Sequence, residues 1–240
     1  MKTASNLFQA AVSLFYPPVC EGCGTSVDSG KYLCAECQDR APRIVAPFCQ
    51  KCAEPFSGAI TGSFACGNCA NQILQFDAAV AGYRARGIVR RLIHEFKYHQ
   101  RIYLRHVVGD WLAAVLDDPR ITAEGFDIIV PVPLHPAKQR ERGFNQAALL
   151  ATSLGKRTKL PVESALQRVR YTNTQTAFDR AERLENLRDA FRLRRGRNVR
   201  GLRVLLVDDV LTTGSTLSEC ARVLKEGGAL SVYAVTAARA

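Results

Sequence analysis

The fold is decided by one stretch, Arg203-Val204-Leu205-Leu206-Val207-Asp208-Asp209-Val210-Leu211-Thr212-Thr213-Gly214-Ser215-Thr216. Val204, Leu205, Leu206 and Val207 form an unbroken apolar run, which reads as a strand buried on both faces in a helix-covered parallel sheet. Asp208 and Asp209 follow where such a strand leaves its sheet. Thr212, Thr213, Gly214, Ser215 and Thr216 then offer hydroxyls, a flexible glycine and a row of backbone N–H groups. They lead into a helical pattern over 217–226, so loop amides and the positive end of a helix dipole share one place. Such a loop suits a phosphate, and the acidic pair can accept hydrogen bonds from vicinal sugar hydroxyls. An ordinary polar turn after a buried strand accounts for 204–207, but not for two acids followed by this loop.

Working outward, a second strand pattern, Phe126-Asp127-Ile128-Ile129-Val130-Pro131-Val132-Pro133, ends in prolines and leads to a basic loop with Lys138, Arg140 and Arg142. Three cations beyond a parallel strand suit a diphosphate, since guanidinium forks bind phosphate oxygens in pairs. A solvated basic loop is the plain alternative. Gly143-Phe144-Asn145-Gln146 opens a further helix, and 160–168 reads as another strand. Residues 170–176 are polar and aperiodic, as a covering flap would be. Upstream, Val89, Leu92, Ile93 and Phe96 lie on one helical face, as do Leu104, Val107, Val108, Trp111, Leu112, Val115 and Leu116, and both stripes read as core. Lys97 reads equally as a solvated charge and as an ammonium turned toward the anion site. Gly227 and Gly228 end the helix after the phosphate loop, a last strand covers 230–236, and Cys220 reads as a small buried residue.

The first seventy residues are of another kind. Eight of the nine cysteines form four Cys-x-x-Cys pairs, Cys20/Cys23, Cys34/Cys37, Cys49/Cys52 and Cys66/Cys69. Each pair can aim two thiolates at one ion, and two pairs complete a tetrahedral site, so eight thiolates suffice for two structural Zn²⁺. Sequential pairing puts Cys20, Cys23, Cys34 and Cys37 on one ion and Cys49, Cys52, Cys66 and Cys69 on the other. Interleaved pairing stays open, as does an iron–sulfur cluster. These segments carry too few apolar residues to fold without metal.

Composition sets bounds. With 240 residues and 47% hydrophobic content there is room for one full domain and a small module, divided here as 1–75 and 76–240. Two zinc ions on eight thiolates lower the formal charge from +11 to +7, which still suits anionic partners. Six arginines between 192 and 203 (192, 194, 195, 197, 200 and 203) with no acid among them could meet a nucleic-acid backbone or form a solvated connector. No aromatic residue interleaves with them, so base stacking is not indicated. An apolar stripe over 7–15, stopped by Pro17-Pro18, is too short to span a bilayer and reads as a packed amphipathic helix. The expectation is a cytoplasmic protein without membrane insertion, where paired cysteines mean metal.

Two resemblances sharpen this. Residues 203–216 resemble the phosphoribosyl-diphosphate (PRPP) signature of type I phosphoribosyltransferases. The four Cys-x-x-Cys pairs, Phe96-Lys97-Tyr98, the Val-Pro-Val-Pro strand with Arg140-Glu141-Arg142-Gly143-Phe144-Asn145-Gln146, and the Asp-Asp loop occur in an order that resembles the ComF family over nearly the whole chain. That resemblance implies a double zinc ribbon followed by an α/β domain, a type I phosphoribosyltransferase-like parallel sheet flanked by helices. It also implies PRPP bound with Mg²⁺. Asp208 and Asp209 are then expected on the ribose, 212–216 on the 5′-phosphate, and Lys138, Arg140 and Arg142 on the diphosphate. Arg168, Arg170 and Gln175 are expected to reach in from the flexible loop. It further implies a role in DNA uptake during natural transformation, with single-stranded DNA and the uptake machinery as partners. Two functions follow: phosphoribosyl transfer to an unknown acceptor, or non-catalytic PRPP sensing with single-stranded-DNA binding.

Overall fold

The computed structural model describes residues 18–58, 60, 62, 64–123, 125–171 and 187–240. The stripe over 7–15, the flap over 172–176 with Gln175, and most of the charged segment that follows lie outside them.

In the cysteine segment, helices α1 (Ala35–Asp39) and α2 (Gly67–Ala70) each begin directly after a cysteine, Cys34 and Cys66. Cys34 caps α1 by accepting the Cys37 N–H on its sulfur. Next come β1 (Ala79–Arg84), α3 (Gly87–Tyr98), a 3₁₀ turn (Ile102–Leu104), α4 (Arg105–Ala113), α5 (Pro119–Thr122), β2 (Ile128–Pro131), α6 (Pro136–Arg142) and α7 (Gln146–Thr158). The chain ends with β3 (Leu166–Arg168), β4 (Phe191–Leu193), β5 (Arg203–Leu211), α8 (Ser215–Glu226) and β6 (Ser231–Arg239). Four strands form a parallel sheet in the order β1-β6-β5-β2. The apolar run at 204–207 therefore lies in a central strand, covered by helices as its pattern requires.

Two expectations change. The strand expected over 160–168 is divided: Val162 bridges Ile129 in parallel, while β3 leaves to pair antiparallel with β4. Only Leu166 of β3 is fully buried, so the segment cannot fill a two-sided position in the main sheet. The basic loop after β2 contains a helix, α6. Pro136 supplies its first residue and the Nδ1 of His135 accepts the Ala137 N–H, a start signal spread over three residues.

Both sheet faces carry a core. One packs α8 and the β3–β4 pair against Val204 and Leu206, and the same cluster takes in Cys49, Cys52, Cys66, Leu74 and Phe76. The other packs α3, α4 and α7 against Leu205 and Val207, around Trp111, Tyr83 and Phe96. The first cysteine group docks on this second face through Ala41, Tyr32 and Leu33 and through a set of polar contacts. Glu21 accepts from Arg101 and from the Tyr103 hydroxyl, each at 2.7 Å. Gln38 accepts from the Trp111 indole and donates to the Tyr83 hydroxyl, both at 3.0 Å. Gly22 is required within this group, because a Cβ there would lie 2.4 Å from Cys37 Sγ. Among the described residues no helix is long and apolar enough to cross a membrane.

Candidate functional site

The thiolates gather as two groups, Cys20/Cys23/Cys34/Cys37 and Cys49/Cys52/Cys66/Cys69, with the ligand atoms of each group within 4.8 Å of one another. This is the sequential pairing, and the interleaved one falls. The fit to zinc is metric as well as chemical. A tetrahedral Zn–S distance of about 2.3 Å puts neighbouring sulfurs about 3.8 Å apart. Cys23 and Cys34 sulfurs stand 3.7 Å apart, and those of Cys52 and Cys66 stand 3.6 Å apart. The thiols also perturb one another in opposite directions. Hydrogen bonding from Cys52 holds Cys49 down to about 4, while burial pushes Cys69 up to about 12. Four such thiols ionise together only around a cation. Both tetrads suit structural Zn²⁺ and leave no ligand position open for catalysis.

The second site lies at the C-terminal edge of the sheet. β5 is longer than its apolar run: it stays paired with β6 as far as Leu211, whereas its pairing with β2 ends at Val207. The acids thus sit within a paired strand, just past the end of one neighbour. Alternation sends them to opposite faces. Asp209 meets Lys97 of α3, Nζ to Oδ1 at 2.7 Å, with side chains 22% and 6% exposed. Burial works against the Lys97 charge, but Asp209 and Asp208 outweigh it and hold the ammonium above its ordinary value. Of the two readings left for Lys97, the structure selects the inward one. Among the described residues Asp208 has no such partner at contact distance; its Oδ1 accepts the Asp209 N–H at 2.9 Å. Burial, joined by the charge of Asp209, pushes its carboxyl up to about 7.

Beyond Leu211 the chain turns through Gly214, whose φ of +83° belongs to the left-handed region and favours glycine. α8 starts there: the Ser215 N–H donates to the Thr213 hydroxyl at 3.4 Å, and the Ser218 N–H to the Gly214 carbonyl at 2.8 Å. The amides before it face the loop, as at any helix start. Thr213 and Ser215 hydroxyls lie 2.9 Å apart, so loop and helix start are tied together.

Lys138 and Arg142 are four apart on α6 and share a face. Burial lowers the Lys138 ammonium, with Arg168 and Arg142 adding like-charge repulsion, which places the three cations in one field. Arg142 is steered from both sides: Nη1 donates to Gln146 at 2.8 Å, and the guanidinium lies 4.9 Å from the Tyr98 ring centre. Arg140, two residues from each along the helix, lines a cavity of about 750 Å³ with Arg168 and Arg194. Arg170 donates to the Arg188 carbonyl at 3.0 Å. The structure therefore brings Asp209 and Lys97 together, puts Lys138 and Arg142 on one face of α6 and Arg140 on another, and sets Arg168 near both faces. Sequence reasoning missed Tyr98 and Gln146 as supports for Arg142; the sole signal was Tyr98 standing next to Lys97.

The arginine run is partly occupied. Arg194 Nε donates to the Leu166 carbonyl at 3.1 Å, Arg197 pairs with Glu163 at 2.7 Å, and Arg203 with Asp127 at 3.2 Å.

A parallel, helix-flanked sheet with an acidic pair before a phosphate-type loop, preceded by two Cys₄ groups, defines a double zinc ribbon joined to a phosphoribosyltransferase-like domain. Family models agree: a double zinc ribbon domain matches residues 11–73 and a phosphoribosyl transferase domain matches 139–240. The chain is 32% identical to Competence protein F of Haemophilus influenzae over 87% of this chain and 90% of that one. It is 33% identical to DNA utilization protein YhgH of Escherichia coli K12 (91% and 96%), and 25% identical to Competence protein ComFC of Bacillus subtilis (86% and 84%). The chain belongs to the ComF family. Among solved structures, the glutamine PRPP amidotransferase of B. subtilis aligns at 24% identity and a TM-score of 0.38, over 59% of this chain and 30% of that one, a likeness too partial to argue from.

Proposed function

We propose that the C-terminal edge of the sheet binds PRPP, and that the protein handles incoming DNA in the cytoplasm, as the names of its competence and DNA-utilization relatives suggest. The carrying observation is the juxtaposition at the end of β5: an acidic pair, a left-handed Gly214 and the helix-start amides of α8, with Lys97 on Asp209 and the charge of Arg168 reaching Asp208. Thr212, Thr213, Ser215 and Thr216 with their amides hold the 5′-phosphate. Asp208 and Asp209 accept from the ribose hydroxyls, with Lys97 holding the Asp209 carboxylate in place. Lys138 and Arg142 meet the diphosphate, and Arg168, Arg170 and Gln175 belong to the segment that covers it. Two carboxylates alone make a poor cage for Mg²⁺, one being paired with Lys97 and the other protonated near neutrality. The ion fits as a companion of the ligand's own diphosphate and ribose oxygens, where it would offset their charge.

The site's cations face the position of a leaving diphosphate, the electrostatic requirement for opening the C1 bond. The competing reading is a sensor without turnover that handles single-stranded DNA through its basic surface and zinc module; Arg194, Arg197 and Arg203 of the 192–203 run already have partners within the chain.

The test is a PRPP titration with Mg²⁺. Wild type is expected to bind, and Asp208→Asn combined with Asp209→Asn to lose at least tenfold in affinity. Equal binding by both proteins would remove the sugar-phosphate assignment.

A further inference from the structure

Lys97 and Val210, the neighbour of Asp209, line a cavity of about 680 Å³, bounded by the second zinc ribbon, α3 and the ends of β1 and β6. Five cations line it, Arg84, Arg86, Arg90, Lys97 and Arg239, with Glu54 the single acidic side chain among the lining residues. Glu54 is already paired with Arg239, and Lys97 with Asp209. Among the described residues Arg84, Arg86 and Arg90 have no carboxylate within ion-pair distance, an arrangement whose mutual repulsion a bound anion would relieve. A second observation points the same way. The Arg239 side chain is 3% exposed, and although its Nη atoms are bonded, its buried Nε has no hydrogen-bond partner. Buried donors of this kind are costly unless a ligand or water completes them.

We propose that this cavity is a second anion site, which takes a phosphate ester of mononucleotide size. Guanidinium forks from three positions, together with a buried arginine, are the chemistry of phosphate recognition. The volume is that of a small-molecule site and far exceeds what a lone phosphate fills. The wall also offers a flat apolar surface: Tyr98 is 59% exposed, and its ring centre lies 4.8 Å from that of His94. The same Tyr98 touches Arg142 on the neighbouring site, and Lys97 lines the cavity while holding Asp209. The anion claim stands on the cavity alone. The further step, that the occupant is the second ligand beside the sugar phosphate, rests on the PRPP reading.

The experiment is calorimetric titration of the zinc-loaded full chain with AMP, GMP, CMP and UMP in turn, and with inorganic phosphate and adenosine as controls. It is repeated on the triple variant Arg84→Gln, Arg86→Gln, Arg90→Gln, three partly or fully exposed side chains whose loss spares the core. At least one nucleotide is expected to bind wild type and to lose tenfold or more in the variant, with adenosine and phosphate each binding at least tenfold more weakly. PRPP is titrated against the same two proteins and is expected to bind both alike. Nucleotide binding unchanged by the triple substitution, or no nucleotide binding at millimolar concentration, overturns the site. Inorganic phosphate binding as tightly as the nucleotides overturns its size. If nucleotide binding depends on the three arginines but PRPP binds neither protein, the cavity stands and its role as the neighbour of a PRPP site falls.

Discussion

The two faces of the sheet carry the same inventory, one cysteine tetrad and one acid of the Asp208–Asp209 pair, and use it in opposite ways. On the α8 face Cys49 and Cys52 are 0% and 1% exposed and share one apolar cluster with Val204, Leu206 and Cys220. On the α3–α4 face the tetrad includes the exposed Cys23, and polar side chains such as Glu21 and Gln38 attach it to the sheet. The acids differ likewise: Asp209 is matched by Lys97, whereas Asp208 is half-buried with no cation at contact distance among the described residues. One ribbon is thus part of the core and the other is fastened onto it. One acid is a finished ion pair, and the other waits for a partner.

The largest expected effect breaks the symmetry of the tetrads. Cys52→Ser should cost more than about 5 kcal/mol, enough to abolish cooperative folding, because the metal it helps to hold organises the same core as α8. Cys23→Ser should release one zinc and loosen only the outer ribbon, costing about 1–2 kcal/mol in the sheet's own transition. Thermal unfolding paired with metal analysis reads both. Equal shifts in melting temperature would show that the two ribbons are coupled alike to the sheet.

Much of this contrast is invisible in the chain itself. The cysteine spacing announces eight ligands, but which tetrad joins the core depends on Leu74 and Phe76 meeting α8 across well over a hundred residues of sequence. The Asp-Asp-loop motif was legible because its chemistry is local: acids, glycine and helix start are consecutive. The Lys97–Asp209 pair spans two distant elements, so the sequence could only leave Lys97 undecided. Lys138, Arg140 and Arg142 read as one basic loop until α6 imposed helical spacing, which keeps Lys138 with Arg142 and turns Arg140 away. The arginine run stayed undecided for the same reason, since Glu163 and Asp127, which engage two of its members, lie far upstream. The extra length of β5 came from its neighbour β6, whose buried Ala237 and Ala238 offer it a partner past the apolar run.

The contrast between the acids appears as a pH dependence. Asp208 keeps its proton to about 7 in the folded protein, against 3.8 ordinarily, so the folded state binds a proton that the unfolded chain has released. The stability this contributes is fully present below the ordinary value and is lost as pH rises through the folded value. Wild type should therefore lose about 2 kcal/mol relative to Asp208→Asn between roughly pH 5.5 and 7, and little more above that. Denaturant melts of the zinc-loaded proteins across this range provide the comparison. Parallel curves would mean that Asp208 is already ionised and that the two faces do not differ in this respect.

The smallest effect sharpens the claim that the outer ribbon is held by polar fasteners. Glu21 is the densest of them: its carboxylate takes Arg101 and Tyr103, and its carbonyl takes Arg91 at 2.7 Å. Glu21→Gln keeps the shape and the backbone bond but removes the charge that both side-chain donors use, at a cost of about 1 kcal/mol. Because Arg101 is 42% exposed, added salt should shrink the difference. Hydrogen exchange locates it. Amides of α1 and the first tetrad should exchange faster in the variant, while β5 and α8 stay as protected as in wild type. A loss of protection that spreads into β5 would show that the outer ribbon supports the sheet as deeply as the inner one does.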